Sequence, residues 1–242
     1  MDLFTKTLSG ISLMMSFRNL KLINPIIRAA TENGYSKPTD IQSLAIPHIL
    51  AGKDIIACAK KGTGKTGTFV MSILQLLKRV TPDHKDIRIL ILAPTSEVVI
   101  QIEENFTVYS KYMPLSIQSI FDGVPVGGQL AALRNRVDVL VATPERLLNL
   151  TSQRNIDLSK IEMLVLDETD KILDKAGISE LKKIIMLLSQ HKQTLLFSST
   201  MSGSIRRFSE TFLNKPVDLI VNELQALNEN TLKTVFFVEK KS

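Results

Sequence analysis

Two short segments carry side chains that could bind and activate a phosphate ester, and the first is AKKGTGKT at residues 59–66. It ends in the Gly-Lys-Thr that grips nucleotide phosphates. Backbone N–H groups of such a loop surround phosphate oxygens, while Lys65 would reach the outer phosphates and Thr66 would place its hydroxyl on Mg²⁺. A glycine-rich turn with an incidental lysine is the simpler alternative, and Ala59 stands where the usual pattern begins with glycine.

The second segment, LVLDETD, places carboxylates directly after an apolar run. Asp167 would hold the Mg²⁺, directly or through its water shell, and Glu168 would orient or deprotonate an attacking water. An acidic helix start, which the helix dipole favours, is the alternative. Together with the upstream loop, this segment favours a catalytic nucleotide site with Lys65, Asp167 and Glu168 as its reactive groups.

The elements that must position these groups alternate between short β-branched runs and longer stretches with helical spacing. Several of the runs are almost continuously apolar, as strands buried on both faces of a parallel sheet are. We therefore predict an α/β fold with a mostly parallel central sheet, helices on both faces and ligands at the carboxyl ends of the strands. The predicted strands are residues 54–59, 87–93, 116–121, 137–143, 161–167, 193–199 and 217–221.

Composition excludes several classes of protein. With 242 residues and 44% hydrophobic content, the chain suits one large globular domain or two small ones, and the net charge of +6 is compatible with a polyanionic partner. Cys58 is alone and cannot form an internal disulfide, and His48, His84 and His191 lack the spacing of metal ligands. No stretch is typical of a signal peptide or a membrane span, so we expect a cytoplasmic location.

The order of these segments resembles the first RecA-like, P-loop domain of DEAD-box ATP-dependent RNA helicases, and within them the bacterial RhlE-type group. The resemblance runs from Phe17 onward. GYSKPTDIQ is similar to the Q motif of this family, which implies that Tyr35 packs against adenine and Gln42 reads its edge, with Phe17, Lys37 and Thr39 nearby. The resemblance also implies ATP and Mg²⁺ as cofactors and a phosphate loop made of Ala59, Lys60, Lys61, Gly62, Thr63, Gly64, Lys65 and Thr66.

Further segments resemble the parts of the family that contact RNA. SST at residues 198–200 is similar to the motif that links the nucleotide state to the RNA site, through Ser198 and Thr200. PTSEVVIQ and TPERLL resemble motifs that hold the RNA backbone, and strand ends that open helices suit phosphate oxygens. Each of these short segments alone could be a simple helix cap. The expected RNA contacts are Pro94, Thr95, Ser96, Gly123, Thr143, Pro144 and Arg146.

Six positions depart from the family pattern. Ser96 stands in place of Arg, Asp122 and Glu145 in place of Gly, Thr169 and Ser199 in place of Ala, and Lys61 in place of a small residue. On the expected RNA face, one cation is lost and two anions are gained. An ordinary turn residue at Asp122 and a favourable helix-start acid at Glu145 are the simpler explanations.

These observations predict three segments. Residues 1–15 form an N-terminal extension, residues 16–222 form the ATP-binding domain, and residues 223–242 form a linker and the start of a second RecA-like domain, which would carry the arginine fingers. We expect nucleotide binding with little hydrolysis and no unwinding by this chain alone. One alternative is a pseudo-helicase with diverged motifs, which binds ATP or a protein partner but binds RNA only weakly. Another is an unrelated P-loop kinase or transporter ATPase, for which the Q motif and SST would be coincidences.

Overall fold

A computed structural model describes residues 16–78, 86–153, 156–175 and 177–221. Its centre is a seven-stranded sheet with strand order β3-β4-β2-β5-β6-β1-β7. All of its paired neighbours run parallel, so the carboxyl ends of the strands share one edge. The strands are β1 (Ile55–Ala59), β2 (Ile89–Leu92), β3 (Ile117–Ile120), β4 (Val139–Ala142), β5 (Met163–Leu166), β6 (Gln193–Ser198) and β7 (Val217–Val221).

The apolar runs form strands because both of their faces are covered. Along β2, Ile89 and Ile91 pack into one hydrophobic cluster, whereas Leu90 and Leu92 pack into a second cluster on the opposite face. Every residue of β1, β2, β4 and β5 is buried. The sheet thus separates two apolar layers, which explains the continuous rather than alternating pattern.

The helices divide between these two layers. The first cluster is covered by α1 (Asn24–Glu32), α2 (Asp40–Leu50), α3 (Lys65–Leu76) and α4 (Ser96–Tyr109). The second cluster is covered by α5 (Val126–Leu133), α6 (Pro144–Ser152), α7 (Thr169–Lys175), α8 (Gly177–Met186) and α9 (Gly203–Phe212). Helices on both faces of a parallel sheet confirm the predicted fold class.

All seven predicted strands are present, each equal to or one to two residues shorter at an end than the apolar run that predicted it. The predicted N-terminal extension (1–15) and the predicted linker with the start of a second domain (223–242) lie outside the described residues, so the segment boundaries stay predictions. Within the described part of the chain, no helix combines the length and the apolar character needed to cross a membrane.

Candidate nucleotide site and nucleic-acid interface

The sheet order divides the candidate residues into two halves of one edge. The loops that follow the adjacent strands β1, β6 and β5 carry AKKGTGKT, SST and DETD. The loops that follow β2, β4 and β3, also adjacent, carry PTSE, TPER and FDG. The expected nucleotide groups therefore meet on one half and the expected RNA groups on the other, with the boundary between β5 and β2.

The phosphate loop leads from β1 into α3 and wraps around its own lysine. Gly62 and Gly64 have φ angles of 85° and 95°, a left-handed backbone that favours glycine. Lys65 is 8% exposed, and its ammonium donates to the carbonyls of Ala59 and, at 2.9 Å, Lys60. Burial lowers the pKa of Lys65, and the nearby Asp167 carboxylate raises it less strongly. The loop thus holds a buried cation at the start of a helix.

DETD begins where β5 ends, and its first two carboxylates are both buried. Asp167 is 3% exposed, and burial raises the pKa of its carboxyl to about 6, with the backbone N–H of Glu168 opposing that shift by donating to it at 2.9 Å. Glu168 has a φ of 48°, which is uncommon for a residue with a side chain. The turn therefore places two consecutive carboxylates at the carboxyl edge of the sheet.

Lys171 contacts the expected catalytic carboxylate. Its ammonium lies 2.8 Å from Oε2 of Glu168, and this hydrogen bond is the main cause that raises the pKa of Lys171. Asp170 and, with the smallest effect, Glu97 of α4 on the other half of the edge raise the same pKa further. Lys171 thus lies among carboxylates from both halves of the site.

SST and DETD are joined by direct hydrogen bonds. Oδ2 of Asp170 accepts from the backbone N–H of Ser199 at 3.2 Å and from the hydroxyl of Thr200 at 3.3 Å. Ser198 is fully buried at the end of β6, and its hydroxyl oxygen accepts from the N–H of Thr200 at 3.4 Å. A change at DETD can therefore reach SST through one carboxylate.

Two departures from the family pattern add contacts here. Thr169 is fully buried, and its hydroxyl lies 3.2 Å from the carbonyl oxygen of Leu166 and 3.0 Å from that of Phe197, so it joins the ends of β5 and β6. The hydroxyl oxygen of Ser199 lies 3.5 Å from the Lys65 ammonium. Both hydroxyls are absent from the alanines of the usual pattern. Nothing in the structure explains Lys61, which is exposed.

Gln42 of α2 lies against the phosphate loop. It is 1% exposed, its Oε1 accepts from the backbone N–H of Thr39 at 2.9 Å, and its Nε2 donates to the carbonyl of Gly64 at 3.3 Å. A Cβ added to Gly64 would lie 2.8 Å from Oγ1 of Thr39 and 2.9 Å from Nε2 of Gln42. The Q-motif segment and the phosphate loop are thus packed so closely that glycine is needed between them.

The expected adenine-packing residues have different environments. Tyr35 is 45% exposed, and its ring lies 6.3 Å from that of Tyr109, which is buried. Lys37 is exposed. Phe17 is instead 3% exposed and belongs to the hydrophobic core, so little of its ring is accessible to a ligand.

The expected RNA residues after β2 form a helix start. Thr95 is the N-cap of α4, and its hydroxyl oxygen accepts from the backbone N–H of Val98 at 3.3 Å. Pro94 is buried, and Ser96 is the first residue of the helix. The helix-cap interpretation therefore applies to Thr95, and the backbone N–H groups of the first turn remain directed toward the edge.

The expected RNA residues after β4 contact Asp122, one of the positions that depart from the family pattern. Thr143 and Pro144 are buried at the start of α6, and Glu145 is exposed in its first turn. The Thr143 hydroxyl donates to Oδ2 of Asp122 at 3.0 Å, and Nε of Arg146 forms an ion pair with Oδ1 of Asp122 at 3.2 Å, although without the alignment of a hydrogen bond. Gly123, the next residue, has a φ of 93°.

Three residues of the edge were missed by the sequence analysis as site residues. Asp170 is the last residue of DETD and Lys171 follows it directly, so their position at a predicted site was a usable signal. Tyr109 lies at the end of α4, and its hydroxyl oxygen would be 3.4 Å from a Cβ added to Gly67, beside the phosphate loop. No local pattern indicates Tyr109, because only the packing of α4 on α3 brings it there.

The donors at the phosphate loop suit a hard cation bound together with phosphate. Among the described residues, no group of three or more His, Cys, Asp or Glu side chains could form a cation site by itself. Mg²⁺ is commonly bound by one or two carboxylates plus substrate phosphates, and Asp167 with the Thr66 hydroxyl matches that donor set. The burial that raises the pKa of Asp167 also favours a neutralising cation.

Comparisons with known proteins show the family to which this chain is similar. The profile of the DEAD/DEAH box helicase family matches residues 39–208. Probable ATP-dependent RNA helicase DDX27 of Mus musculus is 38% identical over 209 residues, which are 86% of this chain and 28% of that protein. ATP-dependent RNA helicase DeaD of Klebsiella pneumoniae is 38% identical over 205 residues, 84% of this chain and 31% of that protein. The chain thus spans less than a third of either relative.

A solved structure shares the fold. The crystal structure of a DEAD box protein from the hyperthermophile Methanococcus jannaschii superposes with a TM-score of 0.81 at 30% identity, covering 86% of this chain and 56% of that one. The match of the family profile covers most of the described residues, including the phosphate loop, DETD and SST. The chain therefore belongs to the DEAD/DEAH box helicase family.

Proposed function

We propose that this chain is the ATP-binding domain of an ATP-dependent RNA helicase, which couples ATP binding and hydrolysis to RNA duplex remodelling when a second RecA-like domain is present. The observation that supports this proposal most strongly is the division of one sheet edge into two halves. Asp170 accepts hydrogen bonds from SST, and Lys171 forms an ion pair with Glu168, while the charge of Glu97 on the other half adds to the raised pKa of Lys171. A change of charge on one half can therefore change the electrostatic environment of the other half.

The nucleotide half has a group for each task in phosphoryl transfer. The backbone of residues 60–64 and the start of α3 would bind phosphate oxygens, and Lys65 would turn from the loop carbonyls to the outer phosphates. Thr66 and Asp167 would hold Mg²⁺, which when bound neutralises developing negative charge on the phosphates. Glu168 would orient or deprotonate the attacking water, and Lys171 forms an ion pair with its carboxylate at 2.8 Å.

Adenine selectivity is the first test of this proposal. Gln42 would have to turn its amide from Thr39 and Gly64 to adenine, where its acceptor and donor match the amino group and ring nitrogen at one edge, and Tyr35 offers an exposed ring face. We expect calorimetric titration to show tighter binding of Mg-ATP than of Mg-GTP, and Gln42→Ala to remove most of that preference. Gln75→Ala is the matched control, because Gln75 is another buried amide in contact with a backbone N–H, that of Ile23 at 2.8 Å. Equal affinities for ATP and GTP in the wild-type chain would refute the assignment.

The RNA half supports a backbone-binding role. Helix starts after β2 and β4, with Thr95, Thr143 and Arg146, suit phosphate oxygens and read little sequence. RNA is therefore the proposed partner, together with a second RecA-like domain of a longer chain. RNA-stimulated ATPase in that longer chain would distinguish an active helicase from a pseudo-helicase. The RhlE-type subgroup and a cytoplasmic location stay predictions.

A further inference from the structure

Asp122 reaches two of the side chains expected to hold the RNA backbone. It lies in the loop after β3, and its two carboxylate oxygens are directed to different partners: Oδ2 accepts from the Thr143 hydroxyl at 3.0 Å, and Oδ1 lies 3.2 Å from Nε of Arg146. Arg146 also donates from a terminal nitrogen to the carbonyl of Val124 at 3.2 Å. The loop after β3 thus contacts both the Thr143 hydroxyl and the Arg146 guanidinium, which lie at the start of α6.

A carboxylate offers these partners the same chemistry as a phosphate. Both anions present oxygen acceptors to a hydroxyl and to a guanidinium, and Arg is suited to each. The Arg146 side chain is only 11% exposed and Thr143 only 6%. With Asp122 in contact, their capacity to bind an anion is therefore partly used within the chain.

We infer that Asp122 sets the RNA affinity of this domain by competing with a backbone phosphate for Thr143 and Arg146. This inference rests on the proposed RNA function. The Asp122 side chain is itself 45% exposed, and contacts of such a group are weak because water screens them. An RNA phosphate can therefore displace the carboxylate, and the effect is a lowered affinity rather than a closed site.

The test compares two substitutions that remove one negative charge each. Asp122→Ala removes the competing carboxylate, whereas Glu145→Ala removes an exposed charge in the first turn of the same α6. Binding of a single-stranded oligouridylate to the 242-residue chain is measured by fluorescence anisotropy at several salt concentrations. We expect Asp122→Ala to tighten binding roughly two- to fivefold, and to steepen the log–log salt dependence by about 0.7, the value for one regained phosphate contact. Equal effects of the two substitutions would show general repulsion and overturn the inference.

A double-mutant cycle identifies the group for which Asp122 competes. In an Arg146→Ala background, the gain from Asp122→Ala should largely disappear, because the cation that would receive the phosphate is gone. Arg146→Lys provides a second background that retains the charge but not the planar guanidinium, and there the gain should be smaller than in the wild type. A full gain in both backgrounds contradicts competition for Arg146.

Failure of this inference differs from failure of the proposed function. If the wild-type chain binds the oligouridylate and Asp122→Ala changes neither affinity nor salt dependence, Asp122 does not compete and only the inference falls. If neither the wild type nor any variant binds it while Mg-ATP still binds, the proposed RNA function fails, and the inference fails with it.

Discussion

At the scale of single residues, several side chains that depart from the family pattern form contacts of their own. Thr169 joins the ends of β5 and β6, Ser199 lies beside Lys65, and Asp122 contacts Thr143 and Arg146. A substitution at a motif position thus need not indicate loss of the site, since the new side chain can bond to its neighbours. Glu145 remains explained by its place in the first turn of α6.

We expect Asp167 to make the metal-free protein less stable at neutral pH. Burial raises the pKa of its carboxyl to about 6, above the value near 3.9 expected in the unfolded chain. A group with a raised folded-state pKa favours folding fully below the unfolded pKa, and that contribution is lost as pH rises through the folded pKa. Asp167→Asn keeps the shape without the charge, so it should stabilise the metal-free chain by about 2–3 kcal/mol at pH 8.

Urea unfolding in EDTA between pH 5 and pH 8 checks this expectation. The advantage of Asp167→Asn should fall by about half at pH 5, because the wild-type carboxyl is then partly protonated in the folded state. The same variant should bind Mg-ATP weakly, since it lacks the carboxylate that we propose holds Mg²⁺. A variant less stable than the wild type at pH 8 would mean that the Asp167 charge is not penalised by burial.

At the scale of elements, the close approach of α2 to the phosphate loop requires Gly64. Gly62 and Gly64 have similar positive φ angles, but a Cβ at Gly62 has no neighbour within 4 Å, whereas one at Gly64 meets Thr39 and Gln42 below 3.0 Å. Backbone strain from alanine should cost about 1–2 kcal/mol at either position. The crowding at Gly64 should add about 1–3 kcal/mol more.

Unfolding curves of the Gly62→Ala and Gly64→Ala variants, both measured without nucleotide, distinguish backbone strain from crowding against Thr39 and Gln42. Because both substitutions change the left-handed backbone in the same way, the difference between them reports the packing of α2 on the loop. Equal losses of stability would place the Q-motif segment farther from the loop than the structure does.

At the scale of the whole molecule, one sheet shared by two apolar layers should make the domain unfold as a unit. A ligand that binds only the folded state at 100 times its Kd adds about 2.7 kcal/mol of stability. For a domain of this size, that corresponds to a Tm increase of about 5–10 °C. We therefore expect Mg-ATP to raise the Tm by this amount in a single transition.

Lysine substitutions at the two edges of the sheet provide the comparison. Lys65→Ala should abolish the Mg-ATP shift in scanning calorimetry. Lys53→Ala should retain it, since the exposed Lys53 precedes β1 at the opposite, amino edge. A shift that survives Lys65→Ala would place the nucleotide elsewhere, and two separate transitions would show that the layers unfold independently.

The sequence by itself determined the strands, the fold class and the groups that end each strand. Continuous apolar runs and the Gly-Lys-Thr loop are local signals, because burial on both faces and phosphate binding impose their patterns on consecutive residues. Only the tertiary structure decided that β6 lies between β5 and β1, so that Asp170 meets Ser199 and Thr200. It likewise decided that Tyr109 lies beside Tyr35 and that Asp122 contacts Arg146. These contacts join residues that are between 24 and 74 positions apart. No local pattern encodes them, because they depend on which strands become neighbours and how the helices pack on them.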